Sequence, residues 1–179
     1  QAFAAKTLVY CSEGSPEGFD AALFTSGTSF DASANTMFDG LVNFKTGTTE
    51  VVPGVATSWS VSEDGKELTF KLRSGVKFHT TKSFTPTRDL NADDIIFSFK
   101  RQMDKENPYY KAANGKFEYF NAMDMGNLIK DIVKVDDMTV KFVLDHAEAP
   151  IVANMAMAFA SIQSAEYGDK LIKEGKLGD

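Results

Sequence analysis

Residues 57–72 leave the backbone little choice. Trp59 and Val61 alternate with serines, Leu68, Phe70 and Leu72 alternate with Glu67, Thr69 and Lys71, and Asp64-Gly65 stands between the two runs. A period of two sends successive side chains to opposite sides of an extended backbone, and Asp-Gly accepts the positive φ that a tight reversal needs. The segment is expected to be a β-hairpin with one buried face.

A second alternating run, Val133 to Leu144, reads as further strand. Its Met138-Thr139-Val140-Lys141-Phe142 shares an apolar-Thr-apolar-Lys-apolar pattern with Leu68 to Leu72. Any half-buried strand alternates this way, so no internal repeat follows. Between the two strand regions, Leu90 to Met103 predicts a helix. Asn91 is suited to its N-cap, Asp93 and Asp94 fall in the first turn where the helix dipole favours them, and Ile95, Phe99 and Met103 share one face. Helices are also expected over Asp31–Leu41, with Asp31 or Ser33 as cap and Met37, Phe38 and Leu41 on one face, from Pro150 onward, and over about Gln163–Glu174. Thr7 to Cys11 reads as a short strand followed by a turn-rich stretch from Ser12 to Gly18. Ala21 to Phe30 shows no clear period. Strands and helices mix throughout, so the class is α/β or α+β.

With 179 residues, 43% of them hydrophobic, the chain is long enough to bury a substantial core as one domain. Its formal net charge of −6 and scattered basic residues argue against nucleic acid or an anionic membrane surface as partner. The most apolar stretch, Ile151 to Ile162, is interrupted by Asn154 and Ser161 and falls short of the roughly 20 residues a bilayer span needs. Gln1-Ala2-Phe3-Ala4-Ala5-Lys6 carries the small-x-small pattern of a signal-peptidase site, so residues 1–5 are expected to be a signal-peptide remnant, with an arbitrary chain end as the alternative. Cys11 is the single cysteine. Val9-Tyr10 before it are too bulky for a lipid-anchor site, which leaves a disulfide partner elsewhere or a buried free thiol.

No catalytic constellation emerges. Asp89 to Asp94 has the alternating oxygens of a calcium loop, but Asp94 stands where an EF-hand needs Gly and Lys100 where it needs Glu. Helix capping explains these residues better. His79 and His146 are far apart and lack a second ligand at metal-site spacing, so no metal site is expected. No serine stands in a Gly-x-Ser-x-Gly turn. Phe117, Tyr119 and Phe120, after Asn107-Pro108-Tyr109-Tyr110, form the densest aromatic zone, and packing is its expected use ahead of a surface for flat ligands.

The letters themselves carry more. Lys6 to Phe19 followed by Leu23-Phe24-Thr25-Ser26-Gly27-Thr28, then Trp59 to Lys66, Phe70 to Arg73, Gly75 to His79, Leu90 to Phe99, Val135-Asp136-Asp137 and Glu148-Ala149-Pro150, resemble the peptide and nickel solute-binding family, and within it the dipeptide branch. The resemblance runs along essentially the whole chain. It implies an α/β periplasmic binding protein-like fold: a monomeric two-lobed receptor, without cofactor or membrane anchor of its own, that captures dipeptides or short peptides in a Gram-negative periplasm and delivers them to an ABC permease. Residues 6–30 would begin lobe one with its cleft loop, and residues 31–179 would form an inserted α/β subdomain. Phe24, Thr25, Ser26, Gly27 and Thr28 would line the cleft and offer backbone groups to the ligand. A carboxylate for the ligand's amino group, an arginine for its carboxylate and the disulfide partner of Cys11 would lie outside this chain. Sibling receptors take haem or glutathione, and an exported hydrolase with its chemistry outside the chain is the alternative from another class.

Overall fold

The structure, a computed structural model, describes residues 9–177. In chain order its elements are α1 (Gly27–Ala32), β1 (Val42–Phe44), β2 (Val51–Pro53), β3 (Ala56–Val61), β4 (Glu67–Leu72), α2 (Ala92–Met103), α3 (Pro108–Ala112), α4 (Glu118–Ala122), α5 (Met125–Leu128), β5 (Ile129–Asp136), β6 (Thr139–Leu144), α6 (Ile151–Asn154), a 3-10 turn at Ala158–Ala160 and α7 (Ala165–Glu174).

The hairpin forms as the alternation requires. β3 and β4 pair antiparallel with Trp59 opposite Phe70 and Val61 opposite Leu68. Gly65 takes φ +70° in the turn, where Ser62 Oγ and the Lys66 N–H both donate to Asp64 Oδ1. β5 and β6 form a second hairpin, and β4 joins the two, giving an antiparallel four-stranded sheet of order β3-β4-β6-β5. Leu68, Phe70 and Leu72 from β4 and Val140, Phe142 and Leu144 from β6 are buried on one face. α2 lies against that face. Phe99 packs edge-on to Phe142 with ring centroids 5.0 Å apart, and Phe142 packs edge-on to Phe70 at 5.8 Å. The opposite face is polar, with Lys141 bridging to Glu67 at 2.8 Å. One apolar and one solvated face is the usual economy of an antiparallel sheet.

α2 begins where its sequence predicts. The Asp93 N–H donates to Asn91 Oδ1, and the Asn91 N–H donates back to the Asp94 carboxylate, completing a capping box. Asp94, fully buried, also receives both Nη groups of Arg88 and the Ala165 N–H at the start of α7. Its oxygens hold two helix N-termini and a loop together, a structural use that leaves none of the calcium-loop reading.

Several expectations are corrected. No strand exists over the described part of Thr7–Cys11. Val9, Tyr10 and Cys11 are exposed and no described strand pairs with them, and alternation without a ladder partner cannot hold an extended backbone. Thr7 and Leu8, like the signal-remnant residues 1–5, lie outside the described residues. The helix expected over Asp31–Leu41 instead occupies Gly27–Ala32. Ser26 is its N-cap, and Ser33 ends it, with the Ser33 N–H returning to the Phe30 and Ser29 carbonyls. Its buried side is made of Ser29 and Ser33, one helical turn apart, so it shows no apolar period. Met37 is 51% exposed. On the sheet edge, Val61 is 49% exposed, while Ala56 is buried and Trp59 leans on the core, against Phe70. Pro150 immediately precedes α6 as its N-cap, not as its first residue, and that helix is short.

Candidate functional site

The segment from Ser12 to Thr28 is irregular until α1, and it is fixed by side chains. Ala21 and Ala22 are buried, and Asp20 sits beside them. Its carboxylate accepts the Ala22 N–H at 3.1 Å and its carbonyl accepts the Leu23 N–H at 3.0 Å, closing a turn. The same carboxylate takes a bidentate pair from Arg101 of α2, Nη1 to Oδ2 at 2.6 Å and Nη2 to Oδ1 at 2.7 Å, and a further bond from Gln163 Nε2 at 3.1 Å. Burial pushes the Asp20 carboxyl up, but the Arg101 charge and the hydrogen bonds from Arg101, Ala22 and Gln163 outweigh it and hold the group below its ordinary value.

Beyond this turn, Phe24 lays its ring over Gly18, where a Cβ would overlap the ring; only glycine allows that approach. Ser26 caps α1 and donates its hydroxyl to Ser29 Oγ at 2.9 Å, and Ser29 Oγ accepts the Glu17 N–H at 3.0 Å. Thr28 and Ala32 line an open depression together with Tyr10, Ser12, Gly14 and Pro16. The cleft segment is therefore no loop throughout. Phe24, Thr25 and Ser26 are irregular, and Gly27 and Thr28 open α1. Phe24, Thr25, Ser26 and Thr28 are half-buried and Gly27 is exposed, with nothing within 4 Å of where its Cβ would stand. None of the backbone N–H groups from Phe24 to Thr28 donates to another described residue. Backbone donors are strong and rarely left unpaired, so a contiguous run of them is able to bind acceptors on another molecule.

The other candidates fall into place around this segment. Phe117 and Phe120 are fully buried in the core, while Tyr119 packs on Phe30 of α1 with centroids 5.7 Å apart, so the aromatic zone is used for packing. His79 and His146 are exposed and apart, and among the described residues no group of His, Cys, Asp and Glu could hold a metal ion. Cys11 is an exposed free thiol, which corrects the buried alternative. No helix among the described residues is long and apolar enough to cross a membrane. Sequence reasoning missed Asp20 and Arg101. The available signal was the run Asp94, Ser98, Arg101 and Gln102, polar residues at helical spacing beside the Ile95–Phe99 stripe, all buried.

Comparison with known proteins bears on this geometry. Residues 50–176 match the family described as bacterial extracellular solute-binding proteins, family 5 Middle. The dipeptide-binding protein of Escherichia coli (strain K12) is 60% identical over 171 residues, 96% of this chain and 32% of that protein. Heme-binding protein A of Haemophilus influenzae is 49% identical over 170 residues, 95% of this chain and 31% of that protein. Among solved structures, a dipeptide binding protein from Pseudoalteromonas sp. SM9913 in complex with Met-Leu superposes with TM-score 0.91 at 44% identity, covering 95% of this chain and 34% of that one. The chain thus spans about a third of the length of the curated relatives it matches.

Proposed function

The chain belongs to the bacterial extracellular solute-binding proteins of family 5, and from that premise we propose that it is part of a receptor that captures dipeptides or short peptides in the periplasm and delivers them to an ABC permease. Phe24 to Thr28 line the ligand cleft. The observation that carries this reading is the row of unbonded backbone N–H groups along those residues. A peptide offers carbonyl and carboxylate oxygens at a regular spacing whatever its side chains, and main-chain donors recognise them without reading sequence. The relatives named for dipeptide binding and the Met-Leu complex support the same ligand class. Residues 6–30 begin lobe one, residues 31–179 form the subdomain inserted in it, and the charged anchors for the ligand's two ends lie in the remainder of the receptor. Cys11, exposed and unpaired among the described residues, joins a cysteine there.

A second reading, a haem receptor, is favoured by the 49% identity to Heme-binding protein A. Calorimetric titration of the full-length receptor, stripped of bound ligand, separates the two. Met-Leu is expected to give saturable one-to-one heat where haem and glutathione give none. Saturation by haem with no response to Met-Leu refutes the peptide assignment, and cleavage of the dipeptide during titration refutes a purely binding role.

A further inference from the structure

Two arginine–carboxylate pairs, each with one buried partner, grip α2, Arg88–Asp94 near its start and Arg101–Asp20 near its end, and they do different work. Asp94 caps α2 and α7. Asp20 stands instead in the turn that delivers the chain to Phe24. We propose that the Asp20–Arg101 pair is a positioning device for ligand binding, fixing the backbone of residues 20–28 on α2 so that the N–H groups of Phe24 to Thr28 meet the ligand already in place. This rests on the reading of Phe24 to Thr28 as the ligand-contacting segment.

The arrangement makes poor sense as a stabilising element alone. The Arg101 side chain is 3% exposed, yet among the described residues its Nε has no hydrogen-bond partner, and apart from the Phe117 ring at 5.8 Å only Asp20 answers its charge. Apolar side chains of similar volume usually stabilise such a place as well or better. What a guanidinium adds is geometry: its planar fork fixes a carboxylate in distance and in orientation. That carboxylate fixes the Ala22 N–H and is steadied by Gln163, whose own N–H is held by Ser98 of α2. The far end of the segment is pinned by the Glu17, Ser26 and Ser29 bonds. The unbonded N–H groups therefore lie on backbone clamped at both ends, and a site ordered before binding does not pay that ordering cost on association.

The test uses the full-length receptor with two double variants. Asp20→Asn with Arg101→Met keeps an oxygen for the Ala22 N–H and fills the place of the Arg101 side chain without charge. Arg88→Met with Asp94→Asn serves as the comparison. The first is expected to weaken Met-Leu binding about tenfold by calorimetry and to speed hydrogen exchange at residues 24–28 in the ligand-free protein by a similar factor. The second is expected to lower the thermal midpoint at least as much while leaving affinity within about twofold. Equal affinity in the first variant and the parent, with Gly27→Val still weakening binding, overturns the positioning role and leaves the contact segment standing. If Gly27→Val also binds normally, the contact reading itself falls. Should the first double variant not fold, Gln163→Leu removes one bond to Asp20 and carries the comparison, with faster exchange at residues 24–28 expected and unchanged exchange overturning the proposal.

Discussion

Gly27→Val in the full-length receptor separates binding from folding more sharply than any other single change. Gly27 is exposed, its φ is not in the left-handed region, and an added Cβ meets nothing within 4 Å. It opens α1, where valine is no worse than glycine by helix propensity, so stability is expected to move by less than about 0.5 kcal/mol. The glycine has no use inside the fold. Its use is outward, where a branched side chain would hold a ligand backbone away from the N–H groups of Gly27 and Thr28. One or two buried hydrogen bonds lost at roughly 1–3 kcal/mol each, with about 1.4 kcal/mol per tenfold, predicts affinity falling about ten- to a hundredfold. Calorimetric titration with Met-Leu reads the affinity and a thermal melt reads the fold. Ser62→Ala in the β3–β4 turn is expected to do the reverse. It loses the bonds to Asp64 and Glu67 and about 1 kcal/mol of stability, with affinity unchanged. If Gly27→Val binds like the parent, the segment is a connection and the assignment of Phe24 to Thr28 is wrong.

Phe99→Ala, removing a fully buried ring from between α2 and the sheet, is expected to cost about 3–5 kcal/mol, read as a lower denaturant midpoint; a loss under about 1 kcal/mol would show that α2 does not seat on Phe142 as described. Because the folded carboxyl of Asp20 is held below its unfolded value near 3.9, its pair contributes fully above that pH and the contribution disappears as pH falls through the lowered folded value. Asp20→Asn should therefore flatten part of the acid limb of the stability profile, and an unaltered limb would deny the pair its charge. Intact mass of the exported protein, alkylated with and without prior reduction, should show Cys11 protected until reduction; labelling without reduction ends the disulfide proposal.

What the sequence disclosed depended on whether a residue's partners lie nearby in the chain. The β3–β4 hairpin and α2 declare themselves because a turn glycine, a cap and an apolar stripe are all local signals. α1 escaped notice because its buried side is Ser29 and Ser33, and hydrophobic periodicity cannot detect a helix face packed through hydroxyls. The contact segment was legible only through resemblance, since unbonded N–H groups leave no trace in side-chain identity. The run of polar residues on α2 hints at Arg101, but its pairing with Asp20 was not legible. Asp20 and Arg101 stand 81 positions apart, and a charge at a buried helical position is indistinguishable in sequence from one on a solvated face.

The sheet order β3-β4-β6-β5 also imposes a sequence of events on folding. Each hairpin closes over a short turn, but the central ladder joins residues as distant as Glu67 and Val143. Closing that interval costs roughly 2–3 kcal/mol more in chain entropy than closing the β3–β4 turn. Contacts of this range are the slow ones in small domains, so the two hairpins are the early species and their docking the late step. Until it occurs, β4 presents Leu68, Phe70 and Leu72 along an open ladder, the kind of surface on which chains stick to one another.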